Sequence, residues 1–470
     1  MTTILHNRAL HLVLLILLII LLQPSPLPDA LLLDLQTQLD TASSTQTTLS
    51  TSINNISFMY PDWQDPVVSG IEMTVASENP HAALQLLDRL ENTSAVAESC
   101  LMIHLQIALD EPEEAATAWF ESDALCRYEG SIITPLIQYY LSKDDFIEAA
   151  SLQTIAIEHS PLAPADYLNL AKIYSVFEPE KALAPLQIVR SLSSQEDPFI
   201  IDLIRVIEDS RFQESPAYTL ARIGVLYIGR GEWDYAGWAL TNAVLLEPEY
   251  VEALAYLGYV EDQNGENGLP QLEKAADLEP DNPLAAIFLT QHWIQQNDLD
   301  KAYDSVGEAY RLVPDNPVIA ALQGEIFARM GDHDSAGVAY LRACELEPDI
   351  PDFWLLLAEY SMKYEVKVEV LGVRAARNAV LLAPQDAHAL DLLGFAHYLN
   401  GSFDVAERVL QRAVAADNKH APSFFHLGLT LLELGDTEEA VTNIKKAAEL
   451  DHGGYYGNLA ARTLESIQQP

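Results

Sequence analysis

The sequence predicts an all-α fold, a solenoid of stacked antiparallel helix pairs, and three observations carry that prediction. Prolines return at Pro248, Pro280, Pro314, Pro348 and Pro384, at gaps of 32, 34, 34 and 36 residues. Their frames are alike, as in Leu246-Glu247-Pro248, Leu278-Glu279-Pro280 and Leu346-Glu347-Pro348. Within each period, small residues return at fixed distances from the proline. A fixed period in this range marks a chain built from stacked units.

Each period divides into two helices. A glycine or small residue recurs at Gly224, Gly258, Gly324, Ala358, Gly394 and Gly428, usually after leucine or isoleucine. Alanine follows at Ala236, Ala302, Ala336, Ala406 and Ala440, then a larger residue at Leu240, Val306, Tyr340, Leu410 and Ile444, then Ala243, Ala309, Ala343, Ala413 and Ala447. Apolar residues three and four apart make one helix face. Small residues where two helices cross allow close packing, within the ~8–10 Å usual for packed helices. Turn residues separate the helices at Gly231, Asn297-Asp298, Gly331-Asp332, Asn400-Gly401 and Gly435-Asp436. The proline then ends the second helix, because it has no amide donor and disfavours helix in the residue before it.

This pattern resembles the tetratricopeptide repeat family, whose unit runs aromatic-x2-Leu-Gly-x2-Tyr, then Ala-x3-Phe, then Pro. The match is strongest over Pro216–His452, where Trp354 and Phe424 fill the opening aromatic slot and Leu220, Leu254 and Leu390 replace it. One unit is two residues short (Val251–Asn282), one is two long (Pro351–Asp386), and Thr290 stands where glycine is usual. The resemblance implies a right-handed superhelix.

Taken in order, residues 1–28 read as a signal peptide or short membrane anchor and 29–60 as a Ser/Thr-rich spacer. Residues 61–95 are a degenerate first helical unit. Repeats follow over 96–192, where Ala115 and Ala149 are 34 apart, Pro161 closes a unit begun near Gly130, and Tyr167, Leu170, Ala171 and Tyr174 match the next. An inserted apolar-periodic helix and linker occupy 193–216. Seven repeats fill 217–454, and residues 455–470 form one amphipathic helix without a partner, as expected of a cap.

The chain has 470 residues, 49% of them hydrophobic, and 26 Lys plus Arg against 69 Asp plus Glu, a formal charge of −43. Such a field repels phosphate backbones and anionic headgroups, so nucleic acid is not an expected partner. Membrane contact is expected only through Leu12–Leu22, an unbroken aliphatic run between Arg8 and Pro24. That run is shorter than the ~20 residues of a full span, which suits a signal, while Pro28 and Asp29 before Ala30 suit an uncleaved anchor. Either reading places the repeats outside the cytoplasm.

No phosphate loop, His-Glu-x2-His, Cys-x2-Cys or Gly-x-Ser-x-Gly motif occurs, and repeats leave no room for a catalytic domain after Pro61. The expectation is therefore a non-enzyme with no cofactor or metal. His388, His397, His420 and His426 cluster in the last two units and read as helix-surface histidines. Cys100 and Cys126 leave a bridge or two packed thiols open, and Cys344 reads as a packing residue.

The resemblance further implies a ligand groove lined by the first helices. Carried onto this chain, it holds Tyr218, Tyr259, Asp262, Gln291, Glu325, Arg329, Glu359, Lys363, Phe395, Tyr398 and Phe425, flanked by Val225, Ile287, Leu355 and Leu429. The Lys/Asn/Arg clamp that chaperone-binding relatives use is missing from these slots. The resemblance thus points to a scaffold for protein or peptide segments, serving an envelope or secretion assembly. The alternative is a non-catalytic recruiting subunit of an enzyme such as a transferase.

Overall fold

Prolines and left-handed turn residues punctuate described residues that are otherwise helical. In a computed structural model, residues 103, 106–107, 112–121, 130–159, 163–193, 197–210 and 215–468 are described, and every regular element among them is a helix. The chain divides into two units, Met1–Ser215 and Pro216–Pro470. The sequence features assigned to Leu12–Leu22, the spacer, the degenerate unit, Cys100 and Cys126 lie outside the described residues.

The first unit contains α1 (Pro112–Glu121), α2 (Gly130–Ser142), α3 (Phe146–His159), α4 (Pro164–Ser175), α5 (Pro179–Leu192) and α6 (Pro198–Ser210). Helices α2 with α3 and α4 with α5 form antiparallel hairpins, α3 packs on α4, and α6 packs on α5. Ile132 and Leu136 of α2, Ala149 and Leu152 of α3, Ala171 of α4 and Leu186 of α5 are buried along this row.

The second unit is an all-α solenoid. Seven hairpins follow one another: α7 (Pro216–Ile228) and α8 (Trp233–Leu246), α9 (Val251–Gln263) and α10 (Leu269–Leu278), α11 (Pro283–Gln295) and α12 (Leu299–Leu312), and α13 (Pro317–Arg329) and α14 (His333–Leu346). Then come α15 (Pro351–Lys363) and α16 (Val373–Leu382), α17 (Ala387–Leu399) and α18 (Phe403–Ala416), α19 (Ala421–Leu434) and α20 (Thr437–Leu450), and finally α21 (Tyr455–Gln468).

The repeat residues explain this geometry directly. A Cβ on Gly224 would stand 2.6 Å from Leu240 Cγ, and one on Gly324 would stand 2.8 Å from the Tyr340 ring. The glycine is thus the socket for the large residue of the partner helix. Thr290 occupies that position in the third hairpin, fully buried and donating from its hydroxyl to the Ala286 carbonyl at 2.8 Å. The matching residue across the pair shrinks to Val306. Each hairpin turn holds a left-handed residue, glycine at Gly231, Gly265, Gly331, Gly401 and Gly435 but Asn297 and Glu365 in the third and fifth.

Second helices end where the sequence breaks them. Glu247, Glu279, Val313, Glu347 and Ala383 all leave the helix for extended backbone, ψ 74 to 88°, just before the loop proline. The next first helix opens on a cap: the side chain of Asn316 accepts from Val318 N at 2.8 Å, and that of Asp386 from Ala389 N at 2.8 Å. The two extra residues of the fifth hairpin are taken up by a π-turn, Val368–Gly372, entered through Glu365 and Lys367 at φ 53 and 49°. There Ser361 Oγ donates to the Val366 carbonyl at 2.6 Å, anchoring the irregular turn to α15.

Successive hairpins meet unequally. Each first helix touches the first helix of the next hairpin, whereas the second helices stand further apart. The array therefore closes on the side of α7, α9, α11, α13, α15, α17 and α19, which form an inner wall. Helix α21 lies against α19 and α20 and covers Ile444 and Ala447.

Candidate functional site: the inner wall of first helices

Where first helices touch, a side chain on the flank loses water and needs a partner from the next repeat. Three histidine–carboxylate pairs meet this need. His292 Nδ1 on α11 lies 2.9 Å from both oxygens of Asp262 on α9, with side-chain exposures of 3% and 4%. His426 Nδ1 on α19 lies 2.9 and 3.1 Å from the Asp391 oxygens of α17. His388 Nε2 on α17 lies 2.7 Å from Glu359 Oε1 on α15, at a half-exposed position. Facing a carboxylate, each of these ring nitrogens must carry the proton and donate it.

These contacts correct two sequence expectations. Asp262 is not open to a ligand, because His292 takes both its oxygens and Oδ1 also accepts from Gly268 N at 3.0 Å. His426 is not on the surface: besides its carboxylate it stacks on Phe395 at 3.9 Å between ring centroids. Phe425 is corrected as well, since α21 covers it and Tyr456 packs against its ring at 6.0 Å. Ile287 is likewise buried, within the core of the second and third hairpins.

The remaining expected residues line the wall in three zones. At the first, Tyr259 is half-buried, stacked on Phe288 at 4.7 Å with Trp233 edge-on at 6.0 Å, and Tyr218 lies one helix earlier. At the middle, Arg329 donates to Glu325 Oε1 at 2.7 Å and to the Ile294 carbonyl at 3.0 Å, clipping α13 to α11. Lys363 is exposed with its Nζ 5.4 Å from the Tyr364 ring, and Gln291 keeps a buried Oε1 with no hydrogen-bond partner. At the third, Phe395 and Tyr398 stack at 5.9 Å, with Phe403 beside Tyr398.

Electrostatics differ along the wall. Glu261 is half-buried, and burial pushes its carboxyl up to about 7, helped by Glu266 and Asp262 and opposed by a hydrogen bond from Gln271. The Glu359 contact holds His388 above the ordinary histidine value, while burial lowers His420 and His397. Cys344 is buried, donates to the Phe353 carbonyl at 3.2 Å, and is pushed up to about 12 by burial, which makes it a packing thiol. Among the described residues no group of His, Cys, Asp and Glu is placed to hold a metal ion. No described helix is long and apolar enough to cross a membrane.

Sequence reasoning missed Glu261, Trp233, Phe288, Tyr456 and Asp391, and it placed Asp262 and Glu359 in the groove without their histidine partners. The aromatic residues sit at repeat positions that are usually core. The paired carboxylates sit at different offsets in different repeats, Asp262 four residues after its glycine and Asp391 three before, so the period does not reveal the pairing.

The tetratricopeptide repeat profile matches residues 319–350 and 421–452, spanning α13–α14 and α19–α20. No curated protein matches. Similar solved structures include yeast Tom70 (14% identity, 86% of this chain and 95% of that one, TM-score 0.44). Another is a tetratricopeptide repeat protein from Parabacteroides merdae (15% identity, 53% and 97%, TM-score 0.40). A third is YrrB, titled a TPR protein with an unusual peptide-binding site (19% identity, 41% and 97%, TM-score 0.33). The two matched stretches are hairpins of the same build as the other five in their unit, so the chain carries tetratricopeptide-repeat hairpins at α13–α14 and α19–α20.

Proposed function

We propose that the chain is a non-enzymatic scaffold whose inner wall holds an extended or helical segment of a partner protein. The observation that carries this reading is the row of half-buried rings and charges on first helices, Tyr218, Tyr259, Arg329, Lys363 and Tyr398, presented by a rigid repeat framework. Half-buried rings offer apolar area with a polar tip, the kind of anchor that dominates interfaces. The repeat family supports protein partners in general terms. The test is capture of partners with the whole chain against an Arg329→Ala, Lys363→Ala, Tyr398→Ala variant that melts at an unchanged temperature. A partner retained equally by both would remove the inner wall from the reading.

Export is part of the same proposal, and Leu12–Leu22 supports it as the signal or anchor that places the repeats beyond the membrane, in an envelope or secretion assembly. A fusion of residues 1–28 to a reporter active only outside the cytoplasm is expected to be active. Leu15→Arg with Leu18→Arg is expected to silence it, since each charge costs ~2.5–3.5 kcal/mol at a helix centre. Activity retained by that variant would refute the export reading.

A further inference from the structure

The loops that return each second helix to the next first helix make a second surface, at the ends of the helices. Their acidic residues are not equally compensated. Asp281 and Asp315 each follow a loop proline; Arg311 comes within 4.0 Å of Asp281, and Arg342 lies 2.9 Å from Asp315. Glu249 follows Pro248 in the same register, yet no lysine or arginine among the described residues pairs with it. Lys274 occupies on α10 the position of Arg342 on α14, four residues before the last leucine, and makes no ion pair there. Glu252 and Glu279 also lack a basic partner among the described residues.

These three carboxylates, together with Glu247, line an open cavity of about 610 Å³ whose apolar lining includes Leu246 and Val251. Leu246 of the lining is 56% exposed, and Leu278, which precedes the lining residue Glu279, is 39% exposed. Tyr250 lies in the lining within hydrogen-bonding reach of Glu252, and burial together with that carboxylate pushes its phenol up.

We propose that this cavity receives a cationic amphipathic segment of a partner protein, with an apolar side chain against Leu246 and Val251 and lysine or arginine against Glu249, Glu252 and Glu279. Charge complementarity selects this occupant. A purely apolar segment would strip water from three carboxylates and offer nothing in return. A nucleic acid or anionic lipid would meet like charge. A simple cation would leave Leu246 and Val251 in water. This site shares the first turn of α9 with the inner wall but none of the wall residues named in the scaffold reading, so substitutions at the two can be told apart.

The test uses the full chain and a synthetic amphipathic helix of leucine and lysine, with a scrambled peptide of identical composition as control, at physiological salt. The segregated peptide is expected to bind about tenfold more tightly than the scrambled one. Glu249→Lys with Glu279→Lys should weaken it by about tenfold, and Leu246→Ser by a similar factor, with unchanged melting temperatures. Glu345→Lys with Glu465→Lys, the same charge change elsewhere, should weaken it less than about twofold. Equal weakening by both charge reversals would show only the general acidic field and overturn the proposal. So would indifference to Leu246→Ser in the folded variant, or a loss caused instead by Arg329→Ala with Lys363→Ala.

Discussion

Asp391 and His426 face each other across two consecutive first helices, 2.9 Å apart, with side chains 2% and 4% exposed. Neither has a water-facing alternative, and the pair joins the sixth hairpin to the seventh. Replacing Asp391 by Ala, or His426 by Ala, leaves one buried polar partner alone. Each should cost about 3–5 kcal/mol, read from urea denaturation. The Asp391→Leu, His426→Leu double variant should recover much of that loss, since replacing both partners by apolar groups is far less costly. A loss below about 1 kcal/mol for either single variant would show that the joint does not depend on the pair.

The Glu359–His388 pair predicts a pH dependence with a definite sign. His388 is raised above the ordinary histidine value of about 6.5. Its contribution is therefore complete below that value and fades as pH rises through the higher folded-state value. Because both side chains are more than a third exposed, the energy is small, and ring-proton titration by NMR is the better readout. His388 should titrate above 6.5 and His420 below it. Glu359→Gln should bring His388 down, and an unchanged His388 titration would contradict the assigned contact.

The helix crossings predict intolerance to a single methyl group. Gly324→Ala places its Cβ against the Tyr340 ring at 2.8 Å and should cost about 1–3 kcal/mol. Val306→Leu should cost a comparable amount in the third hairpin, where Thr290 already fills the space a glycine leaves open elsewhere. Denaturation curves equal to that of the parent chain would mean the helices part easily.

Glu365 adopts a left-handed backbone, φ 53°, at a turn position that holds glycine in five other hairpins. Glu365→Gly should therefore stabilise the chain by about 0.5–1 kcal/mol, checked by a higher urea midpoint. A lower midpoint would mean that the side chain itself holds the turn.

The hairpins were legible because proline and glycine act on the backbone locally. Leu346-Glu347-Pro348 can only end a helix, and Gly324 sixteen residues before Tyr340 can only mark a close crossing. The inner wall was legible only as a list of slots. Whether a slot faces solvent depends on the neighbouring repeat: Phe425 and Tyr398 stand in first helices of similar pattern, yet α21 covers one and leaves the other half open. Asp262 and His292 are thirty residues apart, and their pairing arises from stacking that no local pattern records.

The π-turn of the fifth hairpin absorbs its two additional residues within a single loop, and α17 resumes the stacking pattern of the earlier first helices. Length change and register are thereby uncoupled. Variation in this chain can accumulate as local bulges without propagating along the array. Within that turn Glu369 and Val370 are exposed, Val370 66%, while Val366 and Val368 pack on the core, so the Glu369–Val370 step is the place to graft a foreign peptide or a labelling tag. Such an insertion would extend from two exposed residues while the core valines on either side kept the turn in place.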